Sequence, residues 1–350
     1  MGLIEIDGAY REGGGQIVRT ALVFSLLTSK PIRVFNIRKG RQKPGLKPQH
    51  LHVLQALTKL TDSKVEGAHL GSLEIIFYPG KIIGGRYEID FKTAGAITLF
   101  LQTILPVSLF ARNPVHLRIK GGTDVPMAMT WDYFQHIVLP YYKGFAHEIH
   151  ARCVRRGYYP PGGGEVELKV VPRFEQSDWT TLCDKIRATL SRLELVDRPP
   201  SYRLKVTIQS SSRLQARHVR DRIQRTISKL LMDKGVNPTF EGSYWDTLSP
   251  GCSVTMILDY GDYVTGVDKL CAPGLPAEEV AKHIVDEFIQ FIRSPEVIDP
   301  HLQDNIVPVL ALRGGRVKIV KPSSHTLTNI WVVERFLGGL FKWSGNILVV

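Results

Sequence analysis

One order of elements, strand, helix, strand, helix, strand, strand, is written twice in succession into the first half of this sequence. Residues 3–7 form a short apolar strand, and 16–29 a largely apolar helix entered through a glycine turn. Residues 32–37 alternate as a strand, and 48–60 are amphipathic with proline in the first turn, where its missing N–H is harmless. Residues 64–66 and 73–78 close the unit as a strand pair. The order then repeats: strand 87–92, helix 94–111, strand 115–120, helix 127–145, strands 147–155 and 165–171. Two adjacent units of one pattern imply an internal structural repeat of the α/β (α+β) class.

The rest is less regular. Strands at 203–209 and 253–259 and a helix at 216–233 have a different rhythm. Helices at 277–294 and 301–312, a strand at 316–320, a helix at 326–337 and a tail at 346–350 follow. This reads as a third repeat interrupted by a small α/β module, with Pro199, Pro200 and the Ser249-Pro250-Gly251 turn as punctuation inside it. The expected bounds are 1–80 and 81–173 for two repeat units, 174–264 for the module and 265–350 for the third unit.

Charge narrows the partners. The chain carries 45 Lys+Arg against 33 Asp+Glu, a formal +12, which favours polyanions through counterion release and steering. Residues 37–47 hold five cations and no acid, and 213–225 hold five arginines against one aspartate on an expected helix. A solvated helix face accounts for the second run equally well. Cys153, Cys183, Cys252 and Cys271 are scattered, without the spacing of a zinc site. No apolar run reaches membrane-spanning length, and the N-terminus lacks the pattern of a secretory signal. A soluble, cytoplasmic protein is the expectation.

Chemistry concentrates at strand-to-helix junctions. Residues 321–329 (KPSSHTLTN) put His325 in the first turn of a helix that Ser323 or Ser324 can cap. There the helix dipole disfavours imidazolium and the free N–H groups favour an anion, so a neutral imidazole beside phosphate is expected. That is the state a histidine nucleophile needs. An ordinary loop histidine would give the same local pattern.

Residues 7–16 (DGAYREGGGQ) join the first strand to the first helix through three consecutive glycines, which let the backbone approach a ligand. Glu12 there can hold a divalent cation, and Gln16 and Arg19 share one helix face. Arg19 interrupts apolar residues and must find an anion or solvent; a structural ion pair is the plainer outcome. Arg38 and Arg41 flank Gly40, with guanidinium forks suited to phosphate, and Gln49 follows. Gln102 interrupts an apolar helix, and Asp124 sits in GGTDVP, the matching junction of the second unit. His301 and Asp304 stand in HLQDN at a helix start, where capping explains the carboxylate as well as catalysis does.

Taken in order, EGGGQIVRT, IRKGRQKPGLKPQHL, AGAITLFLQTILP, GGTDVP, RRGYYPPGGGEVEL, HLQDN and PSSHTLTN resemble the RNA 3′-terminal phosphate cyclase family. The likeness covers nearly the whole chain outside roughly 174–264. It implies three repeated βαβαββ units, similar to the C-terminal domain of a translation initiation factor and to the enolpyruvyl transferases. A small thioredoxin-like module is inserted in the third.

The implied activity is ATP-dependent conversion of an RNA 3′-phosphate end to a 2′,3′-cyclic phosphate, through a histidine–AMP intermediate and an RNA–ppA intermediate. By that resemblance His325 is the nucleophile and Asp304 a nearby essential carboxylate. Glu12 binds Mg²⁺ or Mn²⁺, and Arg19, Arg38 and Arg41 surround ATP phosphates or the RNA end. Gln16, Gln49, Gln102, Asp124 and His301 fall in segments similar to nucleotide-pocket positions. The chain departs from the family pattern at His301 (Tyr in some members), Asn305 (more often Gln) and Ser324 (often Cys). A silent cyclase-like protein that binds RNA in ribosome biogenesis is the alternative. The presence of both His325 and Asp304 counts against it. An enolpyruvyl transferase would need a different constellation. Oligomeric state is left open.

Overall fold

The computed structural model describes residues 2–350 as a mixed α/β protein built on four sheets of four strands each. Strands β1 (Ile4–Asp7) and β2 (Ile32–Phe35) lie parallel, joined by helix α1 (Gly15–Thr28). Helix α2 (Pro48–Leu60) opens on proline, and strands β3 (Lys64–Glu66) and β4 (Ile75–Tyr78) complete the order β1-β2-β4-β3. The second sheet uses β5 (Gly85–Asp90), α3 (Ile97–Ser108), β6 (Val115–Gly121), the short α4 (Trp131–Tyr133), β7 (Ala146–Arg155) and β8 (Gly164–Pro172). Its order, β5-β6-β8-β7, matches the first.

Helix α5 (Trp179–Thr189) then leads into strand β9 (Leu193–Leu195). Next come β10 (Arg203–Ser211), α6 (Val219–Met232), β11 (Thr239–Trp245), β12 (Cys252–Asp259), β13 (Val264–Leu270) and α7 (Ala277–Arg293). These four strands form a sheet of their own, ordered β11-β10-β12-β13. Helix α8 (Pro300–Arg313), β14 (Gly315–Lys318), α9 (Ser324–Leu337), β15 (Lys342–Ser344) and β16 (Ile347–Val349) end the chain. Strand β9 pairs in parallel with β14, so the last sheet runs β9-β14-β16-β15, again first, second, fourth, third. The separate sheet is therefore offset from the 174–264 expected for the inserted module. Residues 193–195 belong to the last sheet, and β13 carries the separate sheet on to Leu270.

The continuous helix expected over 127–145 does not form. Met127 has φ 66°, one α-turn follows at Trp131–Tyr133, and then come a π-helical stretch (Phe134–Val138) and a 3₁₀ stretch (Leu139–Phe145). Pro140 has no N–H to give the carbonyl four residues back, which removes one rung of the α ladder there. Trp131, Tyr133, Phe134 and Phe145 are fully buried, and their packing tolerates the irregular backbone.

Below this segment lies a charged joint. Arg156 gives Nη1 to Asp124 (3.1 Å to Oδ2) and Nη2 to Asp132, and all three side chains are buried. Gln209 of β10 donates to Asp132 Oδ2 at 3.0 Å, and Trp245 of β11 donates to Gln209 at 2.8 Å. The separate sheet is thereby tied to the second one through polar groups. Burial opposes the Arg156 charge, but Asp124 and Asp132 hold its pKa well above the ordinary value.

Two helices set up the site. Gln16 Nε2 donates to the His325 carbonyl at 2.6 Å, and Thr20 Oγ1 donates to Asn329 Oδ1 at 2.6 Å. Each contact advances four residues along both helices, so α1 and α9 run parallel and open at the same end. Tyr10 stacks on Trp331 with ring centroids 3.9 Å apart, holding the glycine turn against α9.

Candidate active site

A cavity of about 870 Å³ lies at the shared N-terminal end of α1 and α9, and His325 is on its wall. Ser323 caps α9 by accepting from the Thr326 N–H at 2.9 Å; Ser324 is the first helical residue. Ser323 and Thr326 hydroxyls donate to Asp304 Oδ1 at 2.6 and 2.7 Å. The other oxygen, Oδ2, stands 3.5 Å from His325 Nδ1. Asp304 is thus not a helix cap. That position in α8 is held by Asp299, which accepts from the N–H groups of His301 and Leu302.

Proline explains how α8 grips α9. Pro308 has no N–H to occupy the Asp304 carbonyl, four residues back, and Asn329 Nδ2 donates to it at 2.9 Å instead. Asn329 therefore bridges α1, α8 and α9, a role the sequence alone did not suggest. The signal was present as spacing: Asn329 lies one turn after His325, and Pro308 one turn after Asp304.

On the opposite side of the ring, Glu12 Oε2 is 3.2 Å from His325 Nε2 and 3.7 Å from Arg41 Nη2. Two carboxylates therefore flank one imidazole. They oppose the helix dipole's preference for a neutral ring. The hydrogen bond to Asp304 raises the His325 pKa against its partial burial, and the charges of Asp304 and Glu12 add to it. In the ligand-free chain the His325 ring protons are expected to titrate with a midpoint above 6.5, and Asp304→Asn is expected to lower it. Histidine NMR titration checks this; a wild-type midpoint at or below the ordinary value contradicts the geometry.

Cations line the same cavity. Arg19 reaches it half-buried, with no hydrogen bond or ion pair among the described residues, and burial pulls its pKa down to about 10. The structural ion pair that seemed the plainer outcome is absent there. Arg38 also faces the cavity, yet its Nη1 donates to the carbonyls of Lys43 (2.7 Å) and Gly45 (3.1 Å), pinning the basic loop. Burial and the Arg41 charge lower its pKa. Gln49 lines the cavity, and Gln102 does so while donating to Asn305 Oδ1 at 3.1 Å. His301 also lines it, edge-on to Tyr133 at 5.9 Å. Gln16 is on the wall too, with its amide committed to the His325 carbonyl.

Two candidates are off this lining: Glu12, which reaches His325 and Arg41, and Asp124. Asp124 is fully buried, bonded to Arg156, Thr123 and the Trp131 N–H, and away from the cavity lining. Its junction resembles that of the first unit, but its carboxylate faces the buried joint rather than the cavity.

His50 was not among the candidates and proves central to the packing. Its Nδ1 accepts from the Lys47 N–H at 2.9 Å, which puts the ring proton on Nε2. Burial, and then the charges of Arg19, Arg38 and Lys47, push its pKa down to about 3, so the ring stays neutral. A Cβ on Gly15 would lie 2.0 Å from His50 Nε2, so any side chain here would have to displace the buried ring.

The family model for RNA 3′-terminal phosphate cyclase matches residues 10–343. The chain belongs to the RNA 3′-terminal phosphate cyclase family. Cyclase relatives match it nearly end to end. The chain is 37% identical to the RNA 3′-terminal phosphate cyclase of Pyrococcus furiosus over 346 residues, covering 99% of this chain and 96% of that one. It is 39% identical to the Methanosarcina barkeri cyclase over 342 residues (97% and 96% covered) and 36% identical to that of Korarchaeum cryptofilum over 351 residues (99% and 96%).

Proposed function

We propose that this cyclase-family chain converts RNA 3′-phosphate ends to 2′,3′-cyclic phosphates with ATP, using His325 as the nucleophile. The observation that carries the reading is the imidazole held between Glu12 and Asp304 in a cavity lined by unpaired or partly paired arginines. Asp304, fixed by two hydroxyls, accepts from the ring at Nδ1, while Nε2, 3.2 Å from Glu12 in the free chain, gives any proton it carries to solvent before its lone pair attacks. Nε2 attacks the α-phosphorus of ATP, the bond to the β-phosphate oxygen breaks, and pyrophosphate leaves. An oxygen of the RNA 3′-phosphate then takes the AMP as the P–N bond breaks, giving RNA–ppA. The adjacent 2′-hydroxyl attacks its own 3′-phosphorus, gives its proton to solvent and expels AMP. Proximity alone favours that ring closure.

Arg19, Arg38 and Arg41 are the groups we assign to the phosphates, with Gln49, Gln102 and His301 on the nucleotide walls. Gln16 serves by positioning the His325 turn. Glu12 offers one hard carboxylate oxygen beside His325 and Arg41, which line the cavity. No cluster of three or more His, Cys, Asp or Glu suited to a metal occurs among the described residues. One carboxylate fits Mg²⁺ or Mn²⁺ arriving with the ATP phosphates, where the ion would neutralise charge on them.

The strand orders support a fold of three βαβαββ units like the C-terminal domain of a translation initiation factor. In that reading the sheet of β10–β13, with α6 and α7, is the thioredoxin-like insert. No helix among the described residues is long and apolar enough to cross a membrane, and the four cysteines are free. We assign the chain to the cytoplasm. A silent, RNA-binding role in ribosome biogenesis would leave the flanked imidazole without use.

Arg19 gives a direct test. An unpaired, desolvated cation burdens the folded state, so Arg19→Gln is expected to leave the melting temperature unchanged or higher. It should weaken ATP binding about tenfold or more, the loss of a charged hydrogen bond. Thermal shift with and without Mg-ATP reads both. A lower melting temperature with ATP affinity intact would make Arg19 structural.

A further inference from the structure

Tyr159 lines the cavity wall, yet it is 66% exposed; its ring packs on no other aromatic and its hydroxyl bonds to nothing among the described residues. Its backbone is held firmly. Ser249 Oγ donates to the Tyr158 and Tyr159 carbonyls at 3.2 Å each, docking the loop between β11 and β12 onto this turn. Leu248 of that loop is 57% exposed and lies over Gly163.

Two arginines stand on the same joint in the same way. Arg155 Nε donates to the Gly163 carbonyl at 2.7 Å, and Arg213 Nε donates to the Thr247 carbonyl at 3.1 Å. Both are exposed, and neither has a carboxylate partner among the described residues. In each, the backbone bond fixes the guanidinium while both terminal nitrogens stay free. A pre-fixed fork with free Nη groups loses little entropy on meeting a phosphate. An exposed ring at a cavity mouth, followed by fixed cations, is the make-up of a single-strand nucleic-acid path.

We propose that the RNA leaves the cavity over this rim, with a base near its 3′ end stacked on Tyr159 and the next phosphates held by Arg155 and Arg213. The inference rests on the cyclase reading and adds the route of the RNA body. It gives the separate sheet a task, because Arg213 and the loop bearing Leu248 belong to it.

The test measures closure of a 3′-phosphorylated RNA oligonucleotide, normalised for each variant to AMP uptake from α-labelled ATP without RNA. Tyr159→Ala is expected to raise the KM for RNA about tenfold, and Tyr159→Phe to stay within about twofold. On an oligonucleotide lacking its last two bases, Tyr159→Ala and wild type should differ by no more than about twofold. Arg155→Ser combined with Arg213→Ser should flatten the dependence of log KM on log salt by about 0.7 per arginine. Arg155→Lys with Arg213→Lys should restore most of that slope. An unchanged normalised KM, an equal loss on the abasic RNA, or an unaltered salt slope overturns the path. A wild-type chain that takes up AMP but closes no RNA end sinks the activity itself.

Discussion

His325→Ala is expected to abolish AMP uptake and RNA-end closure together, by a factor on the order of 10⁴ or more, as for loss of a catalytic nucleophile. The histidine is half-exposed and belongs to no hydrophobic cluster, so the fold should survive. Its removal is expected to shift stability by no more than about 0.5 kcal/mol. That separation makes the experiment decisive, because lost activity with an intact melting transition cannot be blamed on unfolding. Asp304→Asn should be milder yet severe, roughly 10²- to 10⁴-fold, since an amide can hold the wrong ring tautomer. A His325→Ala chain that still accepts labelled AMP would remove the nucleophile from the scheme.

Arg156→Leu is expected to cost about 3–5 kcal/mol of stability, because it leaves the carboxylates of Asp124 and Asp132 buried without their cation. Arg156→Lys should cost less, keeping the charge while losing the two-armed geometry. Chemical denaturation followed by tryptophan fluorescence reads this well, because Trp131 and Trp245 border the joint. A midpoint within the error of wild type for the leucine variant would mean that the joint is relaxed or hydrated. The effect should fall on folding and only secondarily on catalysis, the reverse of the pattern at His325.

The contrast shows what the sequence could and could not convey. Helix 48–60 was legible to the residue, because proline sets its start and its apolar spacing is strict. Residues 127–145 carry equally apolar spacing, but the backbone there takes π and 3₁₀ form around four large buried aromatics. Strand order was not legible, since pairing of β9 with β14 depends on contacts far apart in the chain.

At the site, local anomalies single out His325, Glu12 and Arg19 (a capped turn, a polar glycine loop, a cation in an apolar helix), whereas HLQDN alone leaves Asp304 a cap or a catalytic group. What local pattern could not give was charge from a distance. The dipole's pull on His325 is opposed by Asp304 and Glu12, which arrive from other helices and loops. The turn of Asp124 toward the joint is hidden for the same reason, since its partner Arg156 lies on a later segment. Asn329 and His50 look like ordinary helix polar residues until Pro308 and Gly15 are seen beside them.

The central claim is a covalent bond between AMP and the His325 ring. Peptide mapping by tandem mass spectrometry, after incubation with ATP and Mg²⁺ and before any RNA is added, tests it most directly. The account predicts one acid-labile AMP adduct, carried on His325 and discharged when a 3′-phosphorylated RNA is supplied. An adduct on a different side chain, or cyclised RNA formed by a chain that never carries AMP, would contradict it.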